Sequence, residues 1–280
     1  MKSFIFNNFF EKTINKFKYF MKPTSFIYYN TKVYFPKNSV IYEKALNEKV
    51  YEQDNIETII NLISDNSFYL DIGANIGLMA IPILKSIDSC TIISFEPSPN
   101  SASYLKRTLQ DSGFKNRWHL IEKAVGSEAG SLEFCFSLKA LGAYDGFRYT
   151  NRMPMSGKTT VPVTTIDIEW TKQEKPRVSV IKIDVEGAEM EVLKGSIECI
   201  EQEKPSILIE WNMKNLQAYD CSPDELVHFA DKYNYRIYSI PNFNLINSPK
   251  QLIKTMEQTE SFLLSTTNEI EEKKLPSRRE

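Results

Sequence analysis

The sequence predicts an α/β fold built on a mostly parallel β-sheet with helices on both faces. Short apolar runs bounded by polar residues recur through residues 50–267, and several alternate with segments of helical periodicity. Parallel strands need such crossover helices, which then cover both faces of the sheet. The last two apolar runs, 236–240 and 262–265, are separated only by loop and predict an antiparallel edge strand.

The composition is that of a globular protein with nearly balanced charge. The 280 residues are 42% hydrophobic and 25% charged, with a formal net charge of -2. This balance argues against a protein that mainly grips nucleic acid, because such proteins usually carry a large positive excess. Four dispersed cysteines and two histidines argue against a disulfide framework and a His-rich metal site. We therefore expect reduced cysteines and a cytoplasmic protein, with no membrane-spanning helix.

Residues 1–49 are predicted to form an N-terminal basic amphipathic helix followed by an extended arm. Within residues 1–22, apolar side chains fall on one face of a helix and lysines on the other. Such a helix either packs on its own domain or docks peripherally on a membrane surface or a partner. Both interpretations stay open at this stage.

The main domain, 50–267, is predicted as alternating elements. The predicted helices are 56–63, 77–87, 101–112, 189–201 and one opened by the capping box Ser222-Pro223-Asp224-Glu225. The predicted strands are 68–72, 90–95, 119–121, 178–184 and 206–210, with 131–136 as an antiparallel addition. The charged tail, 268–280, is predicted to be disordered.

The strongest motif, Asp71-Ile-Gly73-Ala-Asn75-Ile-Gly77, follows the first predicted strand of the domain. Gly73 permits a tight turn, and Asn75 tolerates a left-handed backbone. The spacing differs from the GxGxxG pattern that binds a dinucleotide pyrophosphate. An acid at the strand end suits a cofactor with an ammonium or sulfonium group. The alternative is an ordinary turn from strand to helix.

A second motif, Ser94-Phe95-Glu96-Pro97, ends the next predicted strand. A carboxylate at this place in an α/β fold can accept hydrogen bonds from both hydroxyls of a ribose. The alternative is a solvated acid before a turn, which the neighbouring first motif makes less favoured.

A third motif, Lys182-Ile-Asp184-Val-Glu186-Gly-Ala-Glu189, places four charges where a buried strand ends. The carboxyl ends of strands are the ligand-binding edge of open α/β sheets. Lys182 and Asp184 are two residues apart and therefore point to the same side of the sheet. The structural alternative is that Glu186 and Glu189 only complement the dipole of the following helix.

Residues 137–160 form a long predicted loop rich in aromatic residues and arginines, including Tyr144, Arg148 and Arg152. Such side chains can stack on a sugar and hydrogen-bond to it. We therefore interpret the segment as a candidate acceptor lid, with a flexible insertion as the alternative.

Together, these motifs resemble the FkbM family of S-adenosylmethionine-dependent methyltransferases. The likeness includes Thr165-Ile-Asp, Val192-Leu-Lys-Gly and the strand 207–210, and it runs in order over about 51–210. The resemblance implies a Rossmann-like, seven-stranded methyltransferase sheet that O-methylates sugars or related natural products. It also implies a cofactor loop of Asp71, Gly73, Asn75 and Gly77, ribose binding by Glu96, and adenine contact by Glu122.

The implied reaction requires an acceptor hydroxyl to lose its proton, which a base or a metal ion can assist. Asp184 is the predicted base, with Glu186 and Lys182 beside it. A separate hypothesis places Mg²⁺ on Asp184, Glu210 and Asn212, whose oxygens are suitable hard ligands. The expected partner is a small-molecule or glycan acceptor. The alternatives are methylation of a protein or nucleic acid, and a non-catalytic cofactor-binding scaffold.

Overall fold

The computed structural model describes residues 24–37, 39–48, 50–136, 146, 148 and 156–266. The predicted amphipathic helix at 1–22, most of the candidate lid and the tail at 268–280 lie outside the described residues. No helix in the described part of the chain is both long and apolar enough to cross a membrane.

The described residues form strands and helices in alternation. The strands are β1 (Ser25–Tyr28), β2 (Thr31–Tyr34), β3 (Phe68–Ile72), β4 (Thr91–Phe95), β5 (Trp118–Ile121), β6 (Ala124–Val125), β7 (Gly130–Phe136), β8 (Gly157–Thr164), β9 (Val178–Ile183), β10 (Ser206–Glu210), β11 (Arg236–Ser239), β12 (Asn244–Ile246) and β13 (Ser261–Ser265). The helices are α1 (Val40–Glu48), α2 (Gln53–Leu62), α3 (Ala80–Ser86), α4 (Pro99–Asp111), α5 (Ile166–Lys172), α6 (Glu189–Lys194), α7 (Ile197–Glu203), α8 (Met213–Ala218), α9 (Glu225–Tyr233) and α10 (Pro249–Thr255).

The central sheet has the strand order β12-β11-β13-β10-β9-β3-β4-β5 among the described residues. The five strands from β10 to β5 pair in parallel, whereas β13 runs antiparallel between β10 and β11. The predicted mostly parallel sheet is therefore confirmed. It has eight strands rather than seven because β12 folds back on β11 as an antiparallel edge.

The helices cover both faces of this sheet, as predicted, because alternate residues of each strand enter two separate hydrophobic cores. Tyr69 of β3 packs in one core with apolar side chains of α2, α3 and α4. Leu70 and Ile72 face the opposite core, which includes side chains of α6, α7 and α9. Asp71 lies on the Tyr69 side and is fully buried.

A smaller three-stranded sheet, β6-β8-β7, packs beside the central one. The antiparallel pairing of β7 with β8 confirms the antiparallel addition predicted at 131–136. Residues 157–160, which the sequence assigns to the candidate lid, belong to β8.

The predicted helix at 189–201 is divided into α6 and α7 at Gly195. A Cβ atom on Gly195 would lie 2.0 Å from the carbonyl oxygen of Gly126, so the backbone passes too close for any side chain. Asp167 then caps α7, since its carboxylate accepts hydrogen bonds from the backbone N–H groups of Glu198 and Cys199 at 3.0 and 2.9 Å. Gly195 and Asp167, which belong to two of the motifs that resemble the family, therefore have structural roles.

The N-terminal arm packs against the main domain. Val33 and Phe35 are buried in the same core as α2 and α3. The hydroxyl of Tyr34 donates to Asp111 of α4 at 2.6 Å, and its backbone N–H donates to Thr108. The arm consequently holds α1 across one end of the sheet, next to the strand ends described below.

Candidate active site

A cavity opens at the carboxyl ends of β3, β4, β9 and β10, the edge at which open α/β sheets bind ligands. The loops that follow these strands supply most of its wall. Helix α1 and the turn at Tyr51 and Glu52 close one side, and Phe134 of β7 contributes to the wall as well.

The loop after β3 is held between its two neighbouring strands. The backbone N–H groups of Gly73 and Ala74 both donate to the carbonyl oxygen of Phe95, each at 3.0 Å. Gly73 has φ +83, and a Cβ atom on it would lie 1.8 Å from the carbonyl oxygen of Asp184. Glycine is therefore required here because two strand ends meet, and Gly73 lines the cavity.

Glu96 lies at the cavity wall with its carboxylate oriented by backbone donors. The N–H of Asn75, whose φ is 51, donates to one oxygen at 2.7 Å. The N–H of Ser98 donates to the other oxygen at 2.8 Å, and the residue is only 5% exposed. The first two sequence motifs thus form one constellation, in which Asn75 and Glu96 contact each other directly.

Three predicted cofactor residues do not line the cavity: Asp71, which is described below, Gly77 and Glu122. Gly77 has a positive φ, but its missing Cβ faces Leu105 and Trp118 at 2.6 and 2.7 Å, so it serves packing. Glu122 is half-exposed and forms an ion pair with Lys106 at 2.7 Å. The next residue, Lys123, lines the cavity instead and pairs with Glu169.

A buried lysine joins two of the predicted acids. The Nζ atom of Lys182 lies 3.0 Å from Asp184, 3.3 Å from the carbonyl oxygen of Gly73 and 3.9 Å from Asp71. Burial disfavours the lysine cation, but the two carboxylates outweigh it and raise the pKa of Lys182 above its usual value. Lys182 therefore stays positively charged, and it orients the carboxylate of Asp184.

Asp71 is placed beneath the cavity and does not line it. It is fully buried, and burial raises the pKa of its carboxyl group while the charge of Lys182 opposes this rise. We therefore place Asp71 behind Lys182, where it acts on the site through this cation.

Three carboxylates converge at the ends of β9 and β10. One oxygen from each of Asp184, Glu186 and Glu210 lies within 4.8 Å of the others. The side chain of Asp184 is 26% exposed, so solvent or a ligand in the cavity reaches it. Glu186 was predicted to lie beside the base. Its backbone is left-handed, with φ 59, and this conformation brings its carboxylate into the group.

Glu189 holds the loop that presents Glu186. Its buried carboxylate accepts from the N–H groups of Gly187 and Val185 at 2.9 and 3.2 Å. Burial raises its pKa to about 7, although these backbone donors act in the opposite direction. Glu189 therefore holds the preceding loop through its backbone N–H groups, and it does not line the cavity.

Asn212, the third predicted metal ligand, caps a helix in the structure. Its side-chain oxygen accepts from the backbone N–H of Asn215 at 3.0 Å and caps helix α8. Asn215 in turn donates to Glu210 at 3.1 Å. The carboxylate that joins Asp184 and Glu210 is that of Glu186.

The sequence gives no sign of the wall formed by Lys44, Tyr51 and Glu52. The Lys44 and Glu52 side chains form an ion pair at 3.3 Å at the cavity, and Tyr51 is buried beside them. No motif marks these residues, because their position depends on how the arm crosses the sheet end. The positive φ of Glu52, 47, becomes apparent only in the folded chain.

Of the candidate lid before β8, the structure describes Gly146 and Arg148 together with residue 156. Arg148 donates to the Ala218 carbonyl and pairs with Asp220 at 3.0 Å. A Cβ atom on Gly146 would lie 3.5 Å from the Cβ of Glu186. This part of the predicted lid thus lies next to the carboxylate group.

Comparison with known proteins gives the chain its family. The sequence pattern of the family described as "Methyltransferase FkbM domain" matches residues 71–237. "Methyltransferase sdnD" of Sordaria araneosa is 27% identical over 181 residues, covering 55% of this chain and 67% of that protein. "Hexuronic acid methyltransferase AglP" of Haloferax volcanii is 26% identical over 144 residues, covering 51% of this chain and 56% of that protein.

A solved structure is also similar, the methyltransferase FkbM from Methylobacillus flagellatus. It is 19% identical with a TM-score of 0.44, covering 72% of this chain and 44% of that chain. The chain thus spans only part of the length of the proteins it matches. The family pattern covers more than half of the chain and includes the strand ends that form the cavity. The chain belongs to the FkbM methyltransferase family.

Proposed function

We propose that this chain is an S-adenosylmethionine-dependent O-methyltransferase whose acceptor is a hydroxyl of a carbohydrate, glycoconjugate or related natural product. The observation that carries the proposal is the meeting of three parts in one cavity. These are the glycine loop at Gly73, the oriented carboxylate of Glu96 and the ion-paired carboxylate of Asp184. Family membership supports methyl transfer as the reaction.

The charge of the cavity supports a cationic cofactor. Its lining carboxylates, which are Glu52, Glu96, Asp184, Glu186, Glu210 and Glu260, outnumber its lining lysines, which are Lys44, Lys123 and Lys182. Such a wall repels the phosphates of a nucleotide and attracts a sulfonium. S-adenosylmethionine carries no phosphate, so the residues present fit this group. When bound, it supplies a methyl group that is already activated for transfer.

The residues of the chain would then bind and orient. Glu96 would accept hydrogen bonds from the ribose hydroxyls, and the backbone of Gly73 would contact the cofactor closely. Asp184 would accept the proton of the acceptor hydroxyl, with Lys182 fixing the direction of its carboxylate at 3.0 Å. Alignment of the two reactants can contribute about 7–11 kcal/mol to such a reaction. A positioned base adds roughly 10²–10⁴-fold.

The carbohydrate acceptor is the finer part of this proposal. AglP is by its name a methyltransferase of hexuronic acid, a sugar derivative. Gly146 of the candidate lid lies close to Glu186, and the backbone N–H of Arg148 donates to the Tyr219 hydroxyl, so an acceptor at Glu186 would meet this part of the lid. A divalent cation on Asp184, Glu186 and Glu210 is a separate hypothesis for activating the hydroxyl, with Glu186 in place of Asn212.

Isothermal calorimetry tests the cofactor part of the proposal. We expect the wild type to bind S-adenosylmethionine, and Glu96→Gln to weaken binding about tenfold or more because charge-assisted hydrogen bonds to the ribose are lost. Glu122→Gln is the matched control, since this side chain pairs with Lys106 outside the cavity. Absence of binding by folded wild-type protein would refute the proposal.

Transfer of an isotope-labelled methyl group tests the acceptor. The labelled cofactor is incubated with the protein and a panel of glycosides, glycolipids, oligonucleotides and proteins. We expect base-stable label in the glycoside or glycolipid fractions, as an ether of a hydroxyl oxygen. Label confined to protein or nucleic acid would contradict the acceptor class, and label nowhere despite cofactor binding would favour a non-catalytic scaffold.

A further inference from the structure

The wall that contains Lys44 and Glu52 lies outside the stretch matched by the family pattern, 71–237, yet it lines the same cavity. Lys44 belongs to α1, and Glu52 directly precedes α2. The Asn55 side chain donates both to Glu52 and to Ser261 of β13, at 3.1 and 3.2 Å, and Ser261 is the pairing partner of Glu210 in β10, so the pair lies on the β10 side of the cavity. Glu96 follows β4 and lies on the opposite side of β3.

The Lys44–Glu52 pair is held in place by its surroundings. Glu52 adopts a left-handed backbone, φ 47 and ψ 51, which is unfavourable for a residue with a side chain. Its N–H donates to Glu48, and one of its oxygens accepts from Asn55 at 3.1 Å. Its other oxygen accepts from Lys44 at 3.3 Å. A strained backbone fixed by several contacts is a feature that clusters at functional sites.

Lys44 also differs from the other two lysines that line the cavity. Lys182 is buried between Asp184 and Asp71. Lys123 pairs with the buried carboxylate of Glu169. The Lys44 side chain is 44% exposed, whereas Glu52 is 19% exposed. Lys123 is also 37% exposed, but it follows β5, at the far end of the sheet order from β10. Among the described lysines at the cavity, Lys44 is therefore the exposed cation on the β10 side.

We infer that the Lys44–Glu52 pair binds the zwitterionic amino-acid end of the cofactor, Lys44 its carboxylate and Glu52 its ammonium group. The inference rests on the proposed function. A cofactor whose ribose is bound at Glu96 would extend over β3 toward β9 and β10, on the side where this pair lies. Opposite charges on neighbouring protein side chains match the opposite charges on one α-carbon, and both new contacts are charge-assisted hydrogen bonds.

Three ligands separate the two contacts in a calorimetric experiment. S-adenosylhomocysteine carries both charges of the amino-acid end. Its analogue without the carboxylate carries only the ammonium group, and 5′-deoxy-5′-methylthioadenosine carries neither. The dissociation constant of each ligand is measured for the wild type, Lys44→Met, Glu52→Gln and the control Lys194→Met. Lys194 is also a half-exposed lysine paired with a glutamate, Glu191, but it does not line the cavity.

We expect Lys44→Met to raise the dissociation constant of S-adenosylhomocysteine about tenfold or more, and to change the dissociation constants of the other two ligands by less than about threefold. Glu52→Gln should weaken the binding of both ligands that carry the ammonium group, and it should change the dissociation constant of methylthioadenosine by less than about threefold. Lys194→Met should behave as the wild type. Lys44→Arg keeps the charge and should retain most of the affinity for S-adenosylhomocysteine.

Equal effects of Lys44→Met on all three ligands, or no effect on any, would overturn the inference. Unfolding midpoints of each variant are measured alongside, because equal weakening accompanied by a lower midpoint would assign the pair a structural role and likewise overturn it. If the wild type binds none of the three ligands, the proposed function itself is refuted. Failure of the inference and failure of the proposed function therefore give different results.

Discussion

Replacement of Gly73 by alanine tests the contact between the ends of β3 and β9, on which the geometry of the cavity depends. The added Cβ would lie 1.8 Å from the carbonyl oxygen of Asp184 and 2.9 Å from its carbonyl carbon. Both atoms belong to the backbone, so no side chain can rotate away to relieve the overlap. The loop and the end of β9 must separate, and Asp184 moves with its backbone.

The expected loss of stability has two parts. Alanine at φ +83 pays about 1–2 kcal/mol for a left-handed backbone. Displacement of packed backbone adds roughly 1–3 kcal/mol, as overpacking of a core does. Gly113→Ala is a matched control, because Gly113 has φ +80 and no atom lies within 4 Å of its ideal Cβ. It should show the first part alone, and the difference between the two variants isolates the backbone contact.

The assay is urea unfolding of both variants and the wild type, combined with calorimetry of S-adenosylmethionine. We expect the free energy of unfolding to fall by about 2–5 kcal/mol for Gly73→Ala and by about 1–2 kcal/mol for Gly113→Ala. Cofactor binding should be lost or strongly weakened only in Gly73→Ala. If both variants lose the same stability and bind equally well, the two strand ends do not meet as described.

Three further predictions concern the carboxylates of the site. Asp184→Asn should lower turnover by roughly 10²–10⁴-fold while the dissociation constant of S-adenosylmethionine changes only a few-fold, and comparable losses in both would contradict a base. The pKa of Glu189 is raised to about 7 in the folded chain, so the protonated group stabilises the fold at low pH. Relative to Glu189→Gln, the wild type should therefore lose up to about 3 kcal/mol as the pH rises from about 4.5 to above 7 in urea unfolding, and a constant difference would count against this. If Mg²⁺ takes part, a chelator should abolish turnover and Glu186→Gln should weaken Mg²⁺ binding. Asn212→Ala should instead lower the free energy of unfolding by about 1 kcal/mol, because a helix cap is lost. Full turnover in the presence of the chelator would exclude a required metal.

The order of strands and helices could be predicted because buried parallel strands leave a strong trace in the sequence. The run at 206–210 coincides with β10, and 178–184 differs from β9 by one residue. Strand β12 was missed because three residues are too few to show a period of two. The predicted helix at 77–87 begins later, at Ala80, because Gly77 has a left-handed backbone and packs against Trp118.

The site was partly predictable for a related reason. Asp184 and Glu96 follow buried strands, and the strand order brings them to one cavity. Glu122 also follows a strand, yet its side chain turns outward to Lys106, because the direction at a strand end depends on the next residues of the loop. The Lys44–Glu52 pair is set by tertiary packing of the arm, which no local pattern records.

The position of β13 has a consequence for the order in which the protein can assemble during synthesis. Residues 206–210 and 236–239 leave the ribosome before 261–265, yet in the described sheet β10 and β11 are neighbours of β13 and not of each other. Until β13 arrives, the edge of β10 exposes unpaired backbone groups beside apolar side chains, the arrangement that promotes strand-to-strand aggregation. A nascent chain that ends before residue 261 therefore presents this edge, and completion of β13 is the step that closes it.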